Sequence, residues 1–560
     1  MLLPFRPRRK RDDDPLVTIS TFDVSGGMLT DALPAKIEDK YLSNCKNVYI
    51  KENRICQRFG YTAFGNNLPL DSSVVGIFHV FTYTGSSYLL AFTTEKVYKY
   101  NTATEDWDDI TDTAEDYSGS IDEPFSLDVI YDDNAGELKY ISTNRVNNIK
   151  KWTGSGNFDD LGGSPNKCVF LKNFNHYLML FDVTVGATRY PQRVDWSDQG
   201  LPETWSGGSS GNNNLVKTPD FIIGAEVIRS QLAIYKEESI TMCTYVGGTN
   251  PFAFEENKIK GIGLKARETL CSLGDKHIFL SNKLDVKIFD GFNCYSVMKN
   301  KIYNKFIDNI DPDKISRSHA HLIEQFNLYL LFVPKTGSEY PNSVWVYDYV
   351  KDRWTYWEFA AEMITSGYYL SSGFLTIGEL TNKIKTLNWK IGSGSIGEAF
   401  PFSLFGDEDG YIYQCDSTQI NDNDVAIEAE IETKSYVPFG TGRFGLHSSF
   451  GVYGKGDSVE VYLSKDEGRN YTKQKDIVLN KDTVGFGICR GIKTVSERVM
   501  YKIRNAVLNT SFELEGWVLN SLKRGKKVTS TYLDYLYDND EERIVTEDAD
   551  GKQDFVYIRS

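Results

Sequence analysis

No predominantly apolar stretch reaches the roughly 18 positions that a membrane-crossing helix needs: the longest run free of Asp, Glu, Lys and Arg, residues 72–94, is interrupted throughout by Ser, Thr, Gly, Tyr and His79. The N-terminus, MLLPFRPRRKRDDDP, has a basic cluster but no apolar segment of signal-peptide length behind it, so nothing is expected to direct the chain through a membrane. Basic residues are the minority, 62 against 77 acids, giving a net charge of -15. Tight phosphate binding draws its strength from Lys and Arg, so a DNA-gripping role is disfavoured, while a conduit along which DNA slides stays open. The eight cysteines (45, 56, 168, 243, 271, 294, 415, 489) include no CxxC pair, and are expected to be buried thiols of a reducing cytosol. Cys45 and Cys56 are the one pair expected to be able to face each other across a hairpin. Only six histidines occur. There is no GxxxxGK[ST] and no HExxH, which lowers the expectation of a nucleotidase or metallohydrolase.

What is abundant is wide, flat side chains: 34 Tyr and 32 Phe within a 41% hydrophobic composition. Such residues suit half-buried pleated surfaces, so the chain is expected to be all-β. After a basic arm (1–17), residues 18–72 form an opening segment, with a short helix expected between Pro34 and Asn44 and a hairpin turning at Glu52-Asn53. From about Ser73 to residue 424 the chain repeats at roughly 40 residues, with several short strands and Gly, Asn or Asp turns per unit. Two early units begin near Ser73 and Phe125, and others near Cys168, Asp220, Glu268, Ser318 and Met363. One four-stranded sheet leaves two apolar faces that only its neighbours can cover, so this period predicts a β-propeller of about seven blades. A pair of stacked β-sandwiches would give the same strand spacing.

Residues 425–522 alternate apolar and polar positions over longer strands and are expected to be a separate β-sandwich module. The tail, 523–560, runs from basic to strongly acidic yet keeps YLDYLY and FVYI, and is expected to dock on a neighbouring subunit. His319 and His321 alternate on one strand face, but no acid or thiol follows at a ligand spacing, so a solvent-facing or interface pair is expected and no metal is assigned. SKDEGRNY, from Ser464 to Tyr471, has the Asp-box shape S-x-D-x-G-x-x-aromatic and is read as a hairpin turn. Trp196, Trp205, Trp354 and Trp357 are read as core residues before sugar platforms. No catalytic, cofactor-binding or metal-binding residue is assigned, and an enzyme is not expected.

The stretch QRVDWSDQGLPETW, from Gln192 to Trp205, with LAIYKEESITMCTYVG and FLSNKLDVKIFDGF after it, has an order that resembles the tail nozzle or tail-hub proteins of short-tailed bacteriophages. The opening segment (Gly26-Gly27, Pro34, Asn47-Val48, Arg54, Arg58, Gly60-Tyr61) and the terminal sandwich carry the same resemblance. The arm and the acidic tail do not belong to it. The resemblance implies a virion protein made in the host cytoplasm. It would form a homo-oligomeric ring, commonly a hexamer, below the portal and adaptor ring, passing double-stranded DNA at genome ejection and carrying spikes or fibres. Two other readings stay open. A cell-surface carbohydrate-binding or glycoside-cleaving propeller would call for repeated Asp-boxes and paired carboxylates, and a baseplate or fibre connector of another phage class would share the strand pattern.

Overall fold

The computed structural model describes residues 16–69, 72–83, 85–114, 116–370, 401–526, 543–547 and 553–557. Most of the basic arm expected at 1–17, and much of the tail, lie outside them. The chain is nearly all-β, and the one α-helix among the described residues is Tyr303–Asn309.

Between Val74 and Cys415 lie seven small antiparallel sheets, met one after another along the chain. Their first strands are Val74–Phe81, Ser126–Asp132, Lys167–Phe174, Ile222–Ile228, Cys271–Ser272, His319–Ile323 and Thr365–Tyr369, close to the expected unit starts. Each sheet runs up and down through three further strands. The second strands read as nearly unbroken apolar runs, such as YLMLFDV in Tyr177–Val185 and LYLLFV in Leu328–Val333, and all six residues of the latter are buried. A strand covered on both faces has no reason to alternate, which is what stacking each sheet between two others demands. Tight hairpins take consecutive residues at positive φ: Asn175-His176 at 49° and 68°, and Glu52-Asn53 at 46° and 62°, the expected turn between Val48–Lys51 and Arg54–Gln57.

Neighbouring sheets touch in order. Phe92 meets Phe125 at 4.8 Å, Thr143 Oγ1 donates to the Cys168 carbonyl at 2.9 Å, Phe174 stacks on Phe252, Tyr235 packs on Phe279 and Phe332 on Phe405. The seventh sheet lies on the first: a Cβ on Gly367 would stand 2.6 Å from the Ile77 carbonyl oxygen, so only glycine fits there. The fourth strand of this seventh sheet comes from the other end of the chain. Tyr61–Ala63 pairs antiparallel with Ile412–Cys415, so the region expected at 73–424 draws a strand from the opening segment.

The stretch Gln192 to Trp205 ends one strand, Thr188–Trp196, and enters a loop that binds the preceding sheet. Glu203 reaches back to Lys139 at 3.1 Å and Lys151 at 2.6 Å, and the Gly200 amide and carbonyl bond the His176 carbonyl and the Asp133 amide. Its acid and turn residues are thus a staple between the second and third sheets.

Three expectations need correction. The helix between Pro34 and Asn44 is absent: these residues form turns, Tyr41–Leu42 pairs parallel with Gly27–Met28, and Asn44 lies in a strand. Their backbone groups are taken by strands elsewhere, the Ser43 amide by Glu432, so no i→i−4 ladder forms. Cys45 and Cys56 do not face each other, because Tyr49 stands opposite Cys56 and Ile431 opposite Cys45; all eight cysteines are free thiols.

The third concerns the sandwich. It has the expected two sheets, with Phe450 and Tyr501 stacked at 4.0 Å between them, but it is not separate. A three-residue strand of the opening segment, Asn44–Lys46, pairs parallel with Arg353–Trp357 of the sixth sheet and antiparallel with Ala429–Glu432 of the sandwich. The sixth sheet thereby becomes part of one ten-stranded sheet. The outer sandwich sheet is also built on the opening segment, through Leu16–Thr21 and Arg54–Gln57, and its strand Phe512–Lys526 runs past the expected boundary at 522.

Candidate functional site

Two places concentrate polar chemistry: a group of cavities lined by residues of several sheets' first strands and the turns before them, and the seam where the sixth sheet becomes the sandwich.

The cavities are small. One of about 170 Å³ is lined by Val75, Pro124, Leu270, Cys271, His319 and Thr365 among others, and one of about 290 Å³ by residues including Asp122, Lys314 and Arg317. Arg317 lines the larger one, and it and Arg267 link distant sheets nearby. Arg267, just ahead of the fifth sheet, donates to the Pro124 carbonyl at 2.7 Å and the Val169 carbonyl at 3.0 Å, while its Nε meets Glu268 at 2.6 Å. Arg317, ahead of the sixth, holds both oxygens of Asp122 at 2.7 and 2.9 Å and also pairs with Glu339. A bidentate guanidinium fixes direction as well as distance, so these links resist relative rotation of the sheets they join.

Beside them Lys172 pairs with Glu226 at 2.7 Å. Burial opposes charge on both, yet their mutual attraction keeps the lysine pKa raised and the glutamate pKa lowered. Asp128, half-buried close by, has its carboxyl pushed up by desolvation even though it accepts the Asn173 and Val129 amides.

At the seam, alternating charges cross the strands as a ladder. Lys335 pairs with Glu358, Glu358 with Lys46 at 2.8 Å, Lys46 with Glu428 at 3.1 Å, Glu428 with Arg504 at 2.6 Å, Arg504 with Glu460 at 3.2 Å and Glu460 with Lys473 at 2.5 Å. A second rail runs beside it, Lys502 binding Glu430 at 3.1 Å and Glu432 at 3.0 Å. Opposite charges directly across neighbouring strands are the stabilising arrangement in a sheet. Burial works against the Glu358 carboxylate, but Lys335, Lys46 and Tyr356 more than offset it and draw its pKa down to about 2.

The residues singled out in the sequence fall elsewhere. His319 and His321 are buried, not solvent-facing: His319 stacks on Phe332 at 4.5 Å and His321 on Tyr368 at 4.4 Å, with His321 Nε2 2.8 Å from Ser403 Oγ. Their strand opens the sixth sheet and is covered by the seventh, and burial drives both pKa values down to about 3. The Asp-box is a turn: Ser464 Oγ donates to Asp466 at 2.7 Å, and Asp466 accepts the Asn470 amide at 2.9 Å. Trp196, Trp354 and Trp357 are buried, each indole N–H donating to a backbone carbonyl, and Trp205 is half-buried. Among the described residues no group of three His, Cys, Asp or Glu could hold a metal ion.

Two further features lie outside the residues singled out in the sequence. Gly207 to Gly211 spells GxSxG, but Ser209 sits in the loop ahead of Gly211–Asn214, bonded to Asp198 at 2.5 Å, and not on the strand-to-helix turn that exposes a nucleophile. His447 bridges Ser521 and Ser496 at 2.8 and 2.9 Å inside the sandwich, where burial lowers its pKa to about 4. The alternating Lys and Glu of the seam strands are visible as letters, but nothing in the letters says that strands hundreds of residues apart lie side by side.

No known protein family matches the sequence, and no curated protein does. Solved structures with some likeness include Raptor of Chaetomium thermophilum, at 7% identity and TM-score 0.36, over 64% of this chain and 29% of that one. The chain thus spans under a third of Raptor's length. BamB from Moraxella catarrhalis is 10% identical at TM-score 0.34, over 66% of this chain and 92% of that one. An exo-beta-1,3-galactanase from Phanerochaete chrysosporium is 9% identical at TM-score 0.24, over 82% and 100%. These likenesses are distant in sequence and in backbone, and the fold rests on the chain's own strand pairing.

Proposed function

We propose that the seven sheets close into a seven-bladed propeller, and that the chain is a non-enzymatic structural subunit of a ring at the distal end of a short-tailed phage tail. In this reading six copies form a nozzle or hub below the portal and adaptor ring. The ring passes double-stranded DNA at ejection without reading its sequence, and offers its outer surface to spikes or fibres. The virion tail is the place of action.

The observation that supports this best is the continuous ten-stranded sheet with its charge ladder. A part that channels a pressurised genome must hold its shape, and here the propeller and the sandwich share hydrogen-bonded strands, where a flexible linker would let them swing. The arginine links across the centre stiffen the body in the same sense, and direct the proposed channel to the space enclosed by the ring of copies, not to the middle of one chain. The net charge of -15 suits a wall along which phosphates slide.

Negative-stain imaging with native mass measurement of the purified full chain tests the reading. A closed ring with a central opening wide enough for a duplex is expected. A chain that stays monomeric at high concentration, or a ring with a strongly basic lumen, would sink it.

A further inference from the structure

We infer that the terminal hairpin, Arg543–Glu547 with Gln553–Tyr557, of one copy adds to the open edge of Gly485–Ser496 in the next copy and so fastens the ring, an inference that rests on the ring reading above.

The edge comes first. Gly485–Ser496 is paired on one side, with Arg443–Gly456, and among the described residues nothing pairs with its other side. Such an edge offers a row of unpaired amides and carbonyls to any added strand. Its register is regular from Gly485, opposite Gly454, to Arg490, opposite Ser449, and then breaks, so that Thr494 stands opposite His447. Gly491, at φ 82°, begins the irregular stretch. The break confines the usable edge to six residues, the length of one strand of the hairpin plus one.

The surroundings suit an apolar and acidic guest. Phe486 is 47% exposed on this edge and continues a row of rings, Phe22 to Tyr453 at 5.2 Å and Tyr453 to Phe486 at 4.5 Å. The row lies flat because Gly451 beneath it has no Cβ, which would stand 2.4 Å from the Phe486 ring. Arg490 and Lys493 are exposed on the same strand.

The hairpin has the complementary character. Its two strands, RIVTE and QDFVY, carry Ile544, Val545, Phe555, Val556 and Tyr557. Residues 538–554 carry Asp538, Asp540, Glu541, Glu542, Glu547, Asp548, Asp550 and Asp554 against Arg543 and Lys552. Among the described residues it pairs with no other strand, and two strands alone are marginal in water. The sixteen residues between Lys526 and Arg543 span up to about 55 Å, enough to reach a neighbouring copy. A second copy is the occupant that the ring reading calls for, and the chain's own edge, which the same link would reach, is an outcome of the test.

Sedimentation of the full chain, of a chain ending at Lys526 and of the full chain carrying Arg490→Glu with Lys493→Glu tests this. The full chain is expected to assemble and the other two to lose or weaken assembly. A synthetic peptide of residues 541–558 should bind the shortened chain, and bind about tenfold less tightly after the charge reversals, more so at low salt. In a Phe486→Cys, Val545→Cys double variant, oxidation should link two chains. If the shortened chain assembles like the full one, or the peptide does not bind, or the double variant links only within one chain, the inference falls while the ring reading stands. A full chain that is itself monomeric removes both.

Discussion

Charge holds this molecule together in two contrasting ways, at the seventh sheet and at the seam. At the seventh sheet one ion pair is sunk out of water: the side chains of Arg58 and Asp422 are 1% and 4% exposed. The guanidinium meets both carboxylate oxygens, at 2.8 and 2.5 Å, the Asn47 side-chain oxygen at 3.0 Å and the carbonyls of Phe59 and Glu358 at 3.0 and 2.5 Å. At the seam the ladder lies half open to solvent, Lys46 at 23% and Glu428 at 41%, and its strength is spread over many weak links. The buried pair locates the strand Tyr61–Ala63 to within one register, because misplacing it strands a charge; the ladder adds stiffness that can lose one rung. Removing one partner should therefore have very different effects at the two places.

The largest effect is expected from Asp422→Ala. It leaves Arg58 buried without its carboxylate and should cost about 3–5 kcal/mol, the range for breaking a buried pair by removing one partner. Urea unfolding followed by tryptophan fluorescence would measure it. A loss under 1 kcal/mol would mean that water reaches Arg58 and that the pair does not fix the last sheet.

The next test separates buried charge from buried neutrality. His319 and His321 are held uncharged, with pKa values pushed to about 3, and His447 is pushed to about 4. A histidine whose folded pKa lies below its unfolded value near 6.5 takes up its proton first in the unfolded chain. Stability is then full above pH 6.5 and falls as pH drops from 6.5 towards the folded value. Each such histidine should remove up to about 2 kcal/mol by pH 5. Unfolding midpoints between pH 7 and 5 would record the slope, and His319→Leu should flatten it by up to a third. An unchanged slope would mean that His319 is not buried uncharged.

The same contrast divides what the amino-acid sequence makes legible from what it hides. The repeating sheets are legible because short apolar strand runs end in Gly, Asn or Asp turns at a steady spacing, signals that act over a few residues. The expected starts near Ser73, Cys168 and Ser318 fall within two residues of the strands that begin at Val74, Lys167 and His319. The joins are not legible. Asn44–Lys46 is three residues long, too short for any period, and its partners, Tyr356 and Ile431, lie more than 300 residues away. Arg58 and Asp422 are 364 residues apart and look like any surface charges in the sequence. His319 and His321 do share one strand face, as their alternation says, but which side of a strand meets another sheet is decided by the neighbour, not by the strand.

The smallest effect belongs to the ladder, and it turns on salt as much as on size. Glu428→Gln keeps the shape of the side chain and removes the charge that Lys46 and Arg504 share at 3.1 and 2.6 Å. For partly exposed pairs the expected loss is about 0.5–1 kcal/mol at low ionic strength, shrinking as added salt screens the charges that remain. Asp422→Ala should show little such dependence, because ions do not enter where Arg58 lies. Measuring both variants in 0.02 M and 0.5 M salt thus compares the two uses of charge directly: a Glu428→Gln loss that persists at high salt would mean the ladder is an ordered hydrogen-bonded network, not a screened surface array. That outcome would move the source of stiffness at the seam from paired strands to side chains, and with it the place where a mutation should loosen the sandwich from the sixth sheet.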